Sequence, residues 1–330
     1  MPPVPKFDIA VIGAGTAGLS AAVVAASRGL SVCVCERESA PLAPPGETLH
    51  PGCGVIFEQL GITRTIDHAA TARHLGISVT DDNGVRHEPY GEDARGQWRG
   101  YQLPRDSLHQ ILLARALDLG AEVQMETLVH NLDTDGVEQM RLDTSEGPVS
   151  CRWLLDGTGT WGWSARKDFT SYAEESPRLT ARYGYEQISK SAPPVDWPSF
   201  QMTPMGWFWQ ANLGNGQVAW VDLHIGNDIS AVFAGSSVKA ADMTWRIARQ
   251  PARGRVFRIG DAALRLDPAA GRGVLRATMS AIMAVHTLSA VDEGATDRST
   301  AEKAYNEWIR QWFATDCEEL TKLYGSRFLF

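Results

Sequence analysis

Residues 7–37, FDIAVIGAGTAGLSAAVVAASRGLSVCVCER, decide the fold. Asp8 to Ile12 is apolar and β-prone, as a parallel strand buried on both faces should be. Gly13, Gly15 and Gly18 follow as a GxGxxG array. The first glycine permits the tight turn, the second lets backbone approach a pyrophosphate, and the third lets the next helix pack on the strand. That helix is predicted over Ala17 to Arg28 and ends at Gly29, a natural stop. Its N-terminal N–H groups and dipole favour an anion. A second apolar strand, Ser31 to Cys35, delivers Glu36 at about the spacing of an acid that binds a ribose hydroxyl. A lone glycine array carries little, but strand, glycines, helix, strand and acid in this order point to a dinucleotide site.

Working outward, the chain has 330 residues, 44% hydrophobic and 21% charged, which reads as globular with a sizeable core. A net charge of −8 disfavours general affinity for nucleic acid or an anionic membrane. No apolar run reaches 18 residues without a charge, so no membrane span is expected. The Met-Pro-Pro-Val-Pro-Lys start lacks the apolar centre of a signal peptide, which makes a cytoplasmic location the expectation. Five cysteines stand at 33, 35, 53, 151 and 317 with no CxxC pair, so no metal site is expected. Cys33 and Cys35 alternate along one strand and are expected to pack together as small hydrophobes. Of eleven tryptophans, five fall at 161, 163, 207, 209 and 220. They suit an aromatic core or a pocket for a flat ligand.

Residues 39–54, SAPLAPPGETLHPGCG, form a Pro/Gly loop placed to reach back over a cofactor. Val55 to Leu60 reads as a short helix closed by Gly61. Residues 74–80 and 85–90 read as a hairpin around Asp82-Asn83-Gly84. Asp106 or Ser107 is the predicted cap of a helix carrying Leu108, Ile111, Leu112, Ala116 and Leu119, followed by a strand at 121–125. Further strands are expected within 128–143 and 148–155, around turns at Asp135-Gly136 and Glu146-Gly147. From Tyr172 to about Ala252 helical periodicity fades. Thr180 to Ile188, Gly206 to Leu213 and Gln217 to Ile225 alternate as an antiparallel sheet would, with Pro193, Pro194 and Pro198 in a loop and a short helix expected at Thr244 to Ala248. The α/β pattern returns with a strand at 254–259, Gly260-Asp261, a long helix from Val274 to Ala290, and one or two amphipathic helices over 300–325. Tyr305, Trp308, Ile309 and Trp312 share one face there.

Three signatures in order, GxGxxG with Glu36, Asp156-Gly157, and GDAALRLDPAAGRG from Gly260 to Gly273, resemble the FAD-dependent monooxygenase, halogenase and geranylgeranyl-reductase superfamily of glutathione-reductase-type flavoproteins. The resemblance implies an α/β fold: a Rossmann-type FAD-binding domain, para-hydroxybenzoate-hydroxylase-like, with an inserted antiparallel β-sheet substrate domain and C-terminal helices. On the residues, residues 1–70, 101–171 and 253–290 are assigned to FAD, 71–100 and 172–252 to the substrate sheet, and 291–330 to the helical end. The resemblance implies that Gly13, Gly15, Ala17, Gly18, Glu36, Arg37, Arg105, Asp156, Gly260, Asp261, Pro268, Gly271 and Gly273 hold FAD. Asp261 would accept from ribityl hydroxyls. Gly271 and Gly273 would let backbone approach the isoalloxazine, with the positive end of the following helix towards its pyrimidine side.

GETLHPG, the run from Tyr90 to Gln102, Gly206-Trp207-Phe208-Trp209, and DPAAGRGVLRATMSAIMA are also similar to the LodB/QhpG-like maturases, which hydroxylate a tryptophan within a protein partner. Hydroxylation of an indole or similar ring by FAD and O2 is therefore expected, on an aromatic small molecule or a Trp-containing peptide or protein. His50 is the candidate acid/base, Glu47 a loop anchor or substrate ligand, and Trp207 and Trp209 a sandwich for the ring. Tryptophan halogenases are the rival. Gly206-Trp207-Phe208-Trp209 resembles their WxWxIP motif, but Gln210-Ala211-Asn212 follow. His74, which stands where a halogenase lysine precedes Leu-Gly-Ile, is a further substrate-binding candidate, and Ala270 stands where their glutamate would be. A flavin-containing escort of a peptide and an isoprenoid reductase are further alternatives. No second GxGxxG exists for a nicotinamide cofactor, so NAD(P)H visits transiently or a separate flavin reductase supplies electrons.

Overall fold

Lys6–Ile12 runs parallel to Val32–Cys35 on one side and to Gly147–Asp156 on the other. Glu122–Gln124 extends the sheet beyond the former, and Val256–Arg258 beyond the latter, both parallel. This computed structural model describes residues 4–40, 46–81, 84–134, 139–167, 171–187, 197–214, 216–226 and 239–325. Registers bring the strand ends level: Gln124 opposes Cys35, Cys35 opposes Ile12, Ile12 opposes Asp156, and Asp156 opposes Arg258. The chain order reverses at the first strand, and in such sheets the ligand crevice lies beyond the carboxyl ends at that point. Val129–Asp133 and Met140–Thr144 complete this sheet as an antiparallel meander on Gly147–Asp156.

The strands bury alternate side chains in two cores. Ile9, Val11, Val32, Val34, Trp153 and Leu155 face the larger one. Ala10, Ile12, Cys33, Cys35, Cys151 and Leu154 face the other, so the two cysteines of one strand do pack together as hydrophobes. On the larger face lies the helix Thr16–Ser27, buried from Thr16 to Ala25. Small residues let Gly273–Asp292 and Arg105–Asp118 pack against it. Gly273–Asp292 is the one described helix long and apolar enough to cross a membrane by length and composition. Most of it is buried between Thr16–Ser27 and the C-terminal helix Arg298–Tyr324, the environment of a core helix. Arg298–Tyr324 is one continuous helix, with Tyr305 and Ile309 fully buried.

A second sheet has seven strands in the order Lys239–Asp242, Leu179–Gln187, Gln217–Ile225, Gly206–Asn212, Ser199–Thr203, Gly76–Asp81 and Gly84–Pro89. It is antiparallel except where Ser199–Thr203 meets Gly76–Asp81 in parallel, which joins the early hairpin to the later strands.

Two local expectations need correcting. Thr244 to Ala248 is not helical: Arg246–Ala248 is a strand between Tyr172–Glu174 and Leu264–Arg265. Thr244, Trp245, Ile247 and Ala248 are all buried around a half-buried Arg246, so these five residues show no clear period, and distant partners supplied the pairing. The helix predicted to be capped by Asp106 or Ser107 starts at Arg105 with Pro104 at its N-cap. Proline fixes its own φ there, and Asp106 falls in the first turn, where its charge suits the dipole. The turns expected at Asp82-Asn83 and Asp135-Gly136, the loop at Pro193-Pro194, residues 41–45 of the 39–54 loop and the strand end at Ile188 lie outside the described residues.

Candidate functional site

Because the strand ends are level, Gly13, Glu36, Gly157 and Gly260 follow them on one rim. At Gly13 the backbone is left-handed, and an added Cβ would lie 2.8 Å from the Gly157 carbonyl. At Gly18 it would lie 1.9 Å from the Gly13 carbonyl, so only glycine fits. Gly15 is different: a Cβ there meets nothing within 4 Å. The space above the start of Thr16–Ser27 is therefore open. That helix has no side-chain cap and no acid in its first turn, which leaves its positive end for an anion. Glu36 accepts from the Ala14 N–H at 2.6 Å and the Glu38 N–H at 3.0 Å, fixing its carboxylate beside the glycine turn. Arg37 lies 5.3 Å from the centroid of the Trp161 ring and pairs with Glu38.

Asp156 is fully buried and occupied by its own turn. One oxygen accepts from the Thr158 N–H and hydroxyl, the other from the Ser164 N–H and hydroxyl. It shapes the Gly157 turn. Ala17 touches Gly260, whose added Cβ would come within 2.9 Å of it, and the Gly260 N–H donates to Ser280. Burial raises the Asp261 carboxyl above the usual carboxylate range, opposed by the charges of Arg265, Arg105 and Arg246. Arg105 is itself lowered by burial, opposed first by Glu47 and then by Asp261. Its Nη2 reaches the Thr16 hydroxyl at 3.4 Å, and its buried Nε has no protein partner. Thr16 also meets His109 at 2.9 Å.

Glu47 is buried and accepts from the Tyr185 hydroxyl at 2.5 Å and the Gly46 N–H at 3.0 Å. His50 Nδ1 accepts from the Gly52 N–H, which puts the ring proton of the neutral form on Nε2. Burial lowers its pKa, helped by the charges of Arg272 and Arg276 at the start of Gly273–Asp292. His50 does not stand alone. Tyr90 packs edge-on to it at 5.7 Å between centroids, and likewise to His74 at 5.6 Å. The Tyr90 hydroxyl and His74 Nε2 are 3.1 Å apart. His74 is 2% exposed, and burial, aided by Arg73, lowers its pKa to about 4.

Pro268 opens a single turn, Pro268–Ala270, closed by left-handed Gly271; added Cβ atoms at Gly271 and Gly273 meet nothing within 4 Å. Asp267 Oδ1 caps that turn through the Ala269 N–H. Trp207 and Trp209 share a face of the large sheet but differ in setting. Trp207 is 1% exposed and donates its indole N–H to the Tyr324 hydroxyl. Trp209 is half-buried against Phe200 and Val221 in register.

The FAD binding domain family model matches residues 6–197, more than half of the chain. The chain belongs to this family. It is an FAD-dependent oxidoreductase, with the α/β fold of the flavin-dependent halogenases and monooxygenases. At 24% identity it is similar to a 1H-pyrrole-2-carbonyl-[peptidyl-carrier protein] brominase of Pseudoalteromonas luteoviolacea, covering 92% of this chain and 82% of that protein. It is similar, also at 24%, to the tryptophan 2-halogenase of Chondromyces crocatus, covering 92% of this chain and 65% of the relative, and to digeranylgeranylglycerophospholipid reductase 1 of Methanopyrus kandleri, covering 93% and 87%. The myxobacterial chondrochloren halogenase CndH superposes over 97% of this chain and 83% of its own with a TM-score of 0.85 at 19% identity.

The residues fit FAD. Gly15 leaves a cradle over an uncapped helix start, Arg105 has an orphaned buried N–H, and Gly271 and Gly273 leave backbone exposed at the second helix start. The glycines, Glu36, Arg105, Asp156, Gly260, Asp261 and the Pro268 turn were chosen from motif order alone. Tyr90, Tyr185, Thr16 and Tyr324 were not. Their hydroxyls matter through partners far along the chain, and no short motif announces that.

Proposed function

We propose that this flavoprotein hydroxylates an electron-rich aromatic ring, with an indole, free or within a peptide, as the first class to test. The observation that carries it is His74. In a halogenase a lysine at this position presents a cation to hypohalous acid. His74 is buried, neutral near pH 7 and engaged with Tyr90. Ala270 supplies no carboxylate where the halogenase motif has glutamate. Hydroxylation needs neither group: the ring must be positioned, water excluded and one proton managed.

Bound FAD supplies the oxygen activation. The chain's own residues do the rest. His50, neutral with its proton on Nε2, can hold or exchange a proton at that atom. Glu47, held by Tyr185, anchors the loop that carries His50. Trp209 is the candidate to stack the substrate ring, since Trp207 has its N–H committed to Tyr324. The seven-stranded sheet shapes this side of the pocket. The similarity to a brominase of carrier-bound pyrrole and to a tryptophan 2-halogenase supports an electron-rich heteroaromatic substrate, and the motif likeness to LodB/QhpG-like maturases supports a peptide-borne one. Electrons come from transient NAD(P)H or a separate flavin reductase.

Halogenation is the second reading, favoured by what several relatives do. Reduced holoprotein given oxygen-18, bromide and either a Trp-containing peptide or free indole separates the two by mass spectrometry. Incorporation of one oxygen-18 atom is expected. A bromine isotope doublet instead, or no product from either ring, sinks the hydroxylation reading.

A further inference from the structure

Four aromatic and acidic side chains from four distant parts of the chain form one buried hydrogen-bond chain. Trp207, on a central strand of the large sheet, donates to the Tyr324 hydroxyl at 2.8 Å. Tyr324, the last residue of the C-terminal helix, donates to Asp267 Oδ2 at 2.9 Å. Trp245 donates to the same oxygen at 2.9 Å. Asp267 Oδ1 holds the Ala269 N–H and so the Pro268–Ala270 turn. All four residues are at most 2% exposed. A buried indole N–H needs an acceptor and a buried carboxylate needs donors, so each link constrains the next. The chain starts on the sheet that would shape the substrate pocket and ends on the turn whose family signature meets the flavin.

We propose that Tyr324 is a positioning residue: through Asp267 it sets the Pro268–Gly271 turn against FAD, and through Trp207 it couples that turn to the substrate sheet. The C-terminal helix thereby belongs to the flavin site, although none of its residues need touch the cofactor. The inference rests on FAD occupying the rim, not on which reaction it drives. A colourless protein that refuses FAD would therefore remove the premise, and a coloured one with the wrong product would not.

The sign of the effect follows from charge. Burial raises the Asp267 carboxyl to about 6, and the Trp245, Tyr324 and Ala269 donors oppose that rise. Cys317 lies on the same helix as Tyr324: burial above all, then the charges of Glu175, Asp316 and Asp267, raises its thiol to about 12, which keeps it protonated. Loss of the Tyr324 donor favours protonation of Asp267. One fewer negative charge near the flavin makes reduction easier.

The test uses purified holoprotein. Tyr324→Phe is expected to raise the two-electron reduction equilibrium constant of bound FAD about tenfold, ~30 mV more positive, and to displace its visible absorption bands. Trp207→Phe, which removes only the far end of the chain, should move both readouts in the same direction by less. Leu142→Ala opens the core on the other face of the parallel sheet, which holds no member of the chain, and should lower Tm without either shift. A Tyr324→Phe protein with lowered Tm but the wild-type potential and spectrum overturns the proposal. If that variant yields no holoprotein, Trp207→Phe and Trp245→Phe decide by the same two readouts, and unchanged values in both overturn it.

Discussion

Gly15 and Gly18 sit three residues apart and demand opposite consequences from the same substitution. Gly18→Ala drives a methyl into the Gly13 carbonyl at 1.9 Å, so the helix must move off the strand. Gly15→Ala meets nothing within the protein. We expect G18A to lose both thermal stability and FAD, whereas G15A keeps Tm within a few degrees and weakens FAD binding at least tenfold, read by flavin fluorescence. Equal stability losses in the two would show that the cradle is not where FAD lies. His74 gives a second residue-scale prediction. Its folded pKa of about 4 lies below the unfolded value of about 6.5, so the unfolded chain binds the extra proton between them. The stability held by neutral His74 is complete above that window and falls away as pH drops through it, by about 3 kcal/mol in all. His74→Gln should therefore lose less stability than wild type between pH 6.5 and 4 in urea titrations; parallel curves would refute the assignment. At this scale the glycines were legible because a missing side chain has a local reason. Tyr90 and Tyr185 were not, because their hydroxyls find His74 and Glu47 only once the chain has folded.

Two helices carry the next scale. Arg276 donates through Nε and Nη2 to both oxygens of Asp316 at 2.7 and 2.6 Å, and Arg272 adds a third bond at 2.8 Å. Arg276 also lies 3.9 Å from the centroid of the Trp312 ring. Asp316 is 1% exposed, so removing its charge strands the Arg276 guanidinium at a helix start that already carries positive potential, whereas Arg272 keeps Glu319 at 2.7 Å. Asp316→Asn should cost about 3 kcal/mol in chemical denaturation. A loss below about 1 kcal/mol would mean that solvent reaches the pair. Long elements were readable from the sequence, since the helices at 16–27, 105–118, 273–292 and 298–324 repeat their apolar positions over several turns. The strand at 246–248 was not. Three residues carry no period, and its pairing partners lie at 172–174 and 264–265.

At the scale of the whole molecule, polar ties join the large sheet to the loops and helices around the parallel sheet. One is Tyr185 to Glu47, from a strand of the large sheet to the loop before His50. Tyr185 is 47% exposed, so its loss should cost only about 1 kcal/mol of global stability. The loop it restrains should open more often, and Tyr185→Phe is expected to release FAD several-fold faster in stopped-flow dilution while Tm barely moves. An unchanged release rate would place the restraint elsewhere. The architecture at this scale was readable because the motif order fixed which strands lie side by side. The parallel junction of Ser199–Thr203 with Gly76–Asp81 was not, since nothing in either segment names its neighbour.

The level strand ends have a consequence for what bound coenzyme would do to the fold. Gly13 and Glu36 share one rim with Gly260, Asp261 and the helix from Gly273, which lie far along the chain from them. FAD seated on that rim would touch both stretches at once, so its binding energy would tie two segments remote in sequence into one cooperative unit.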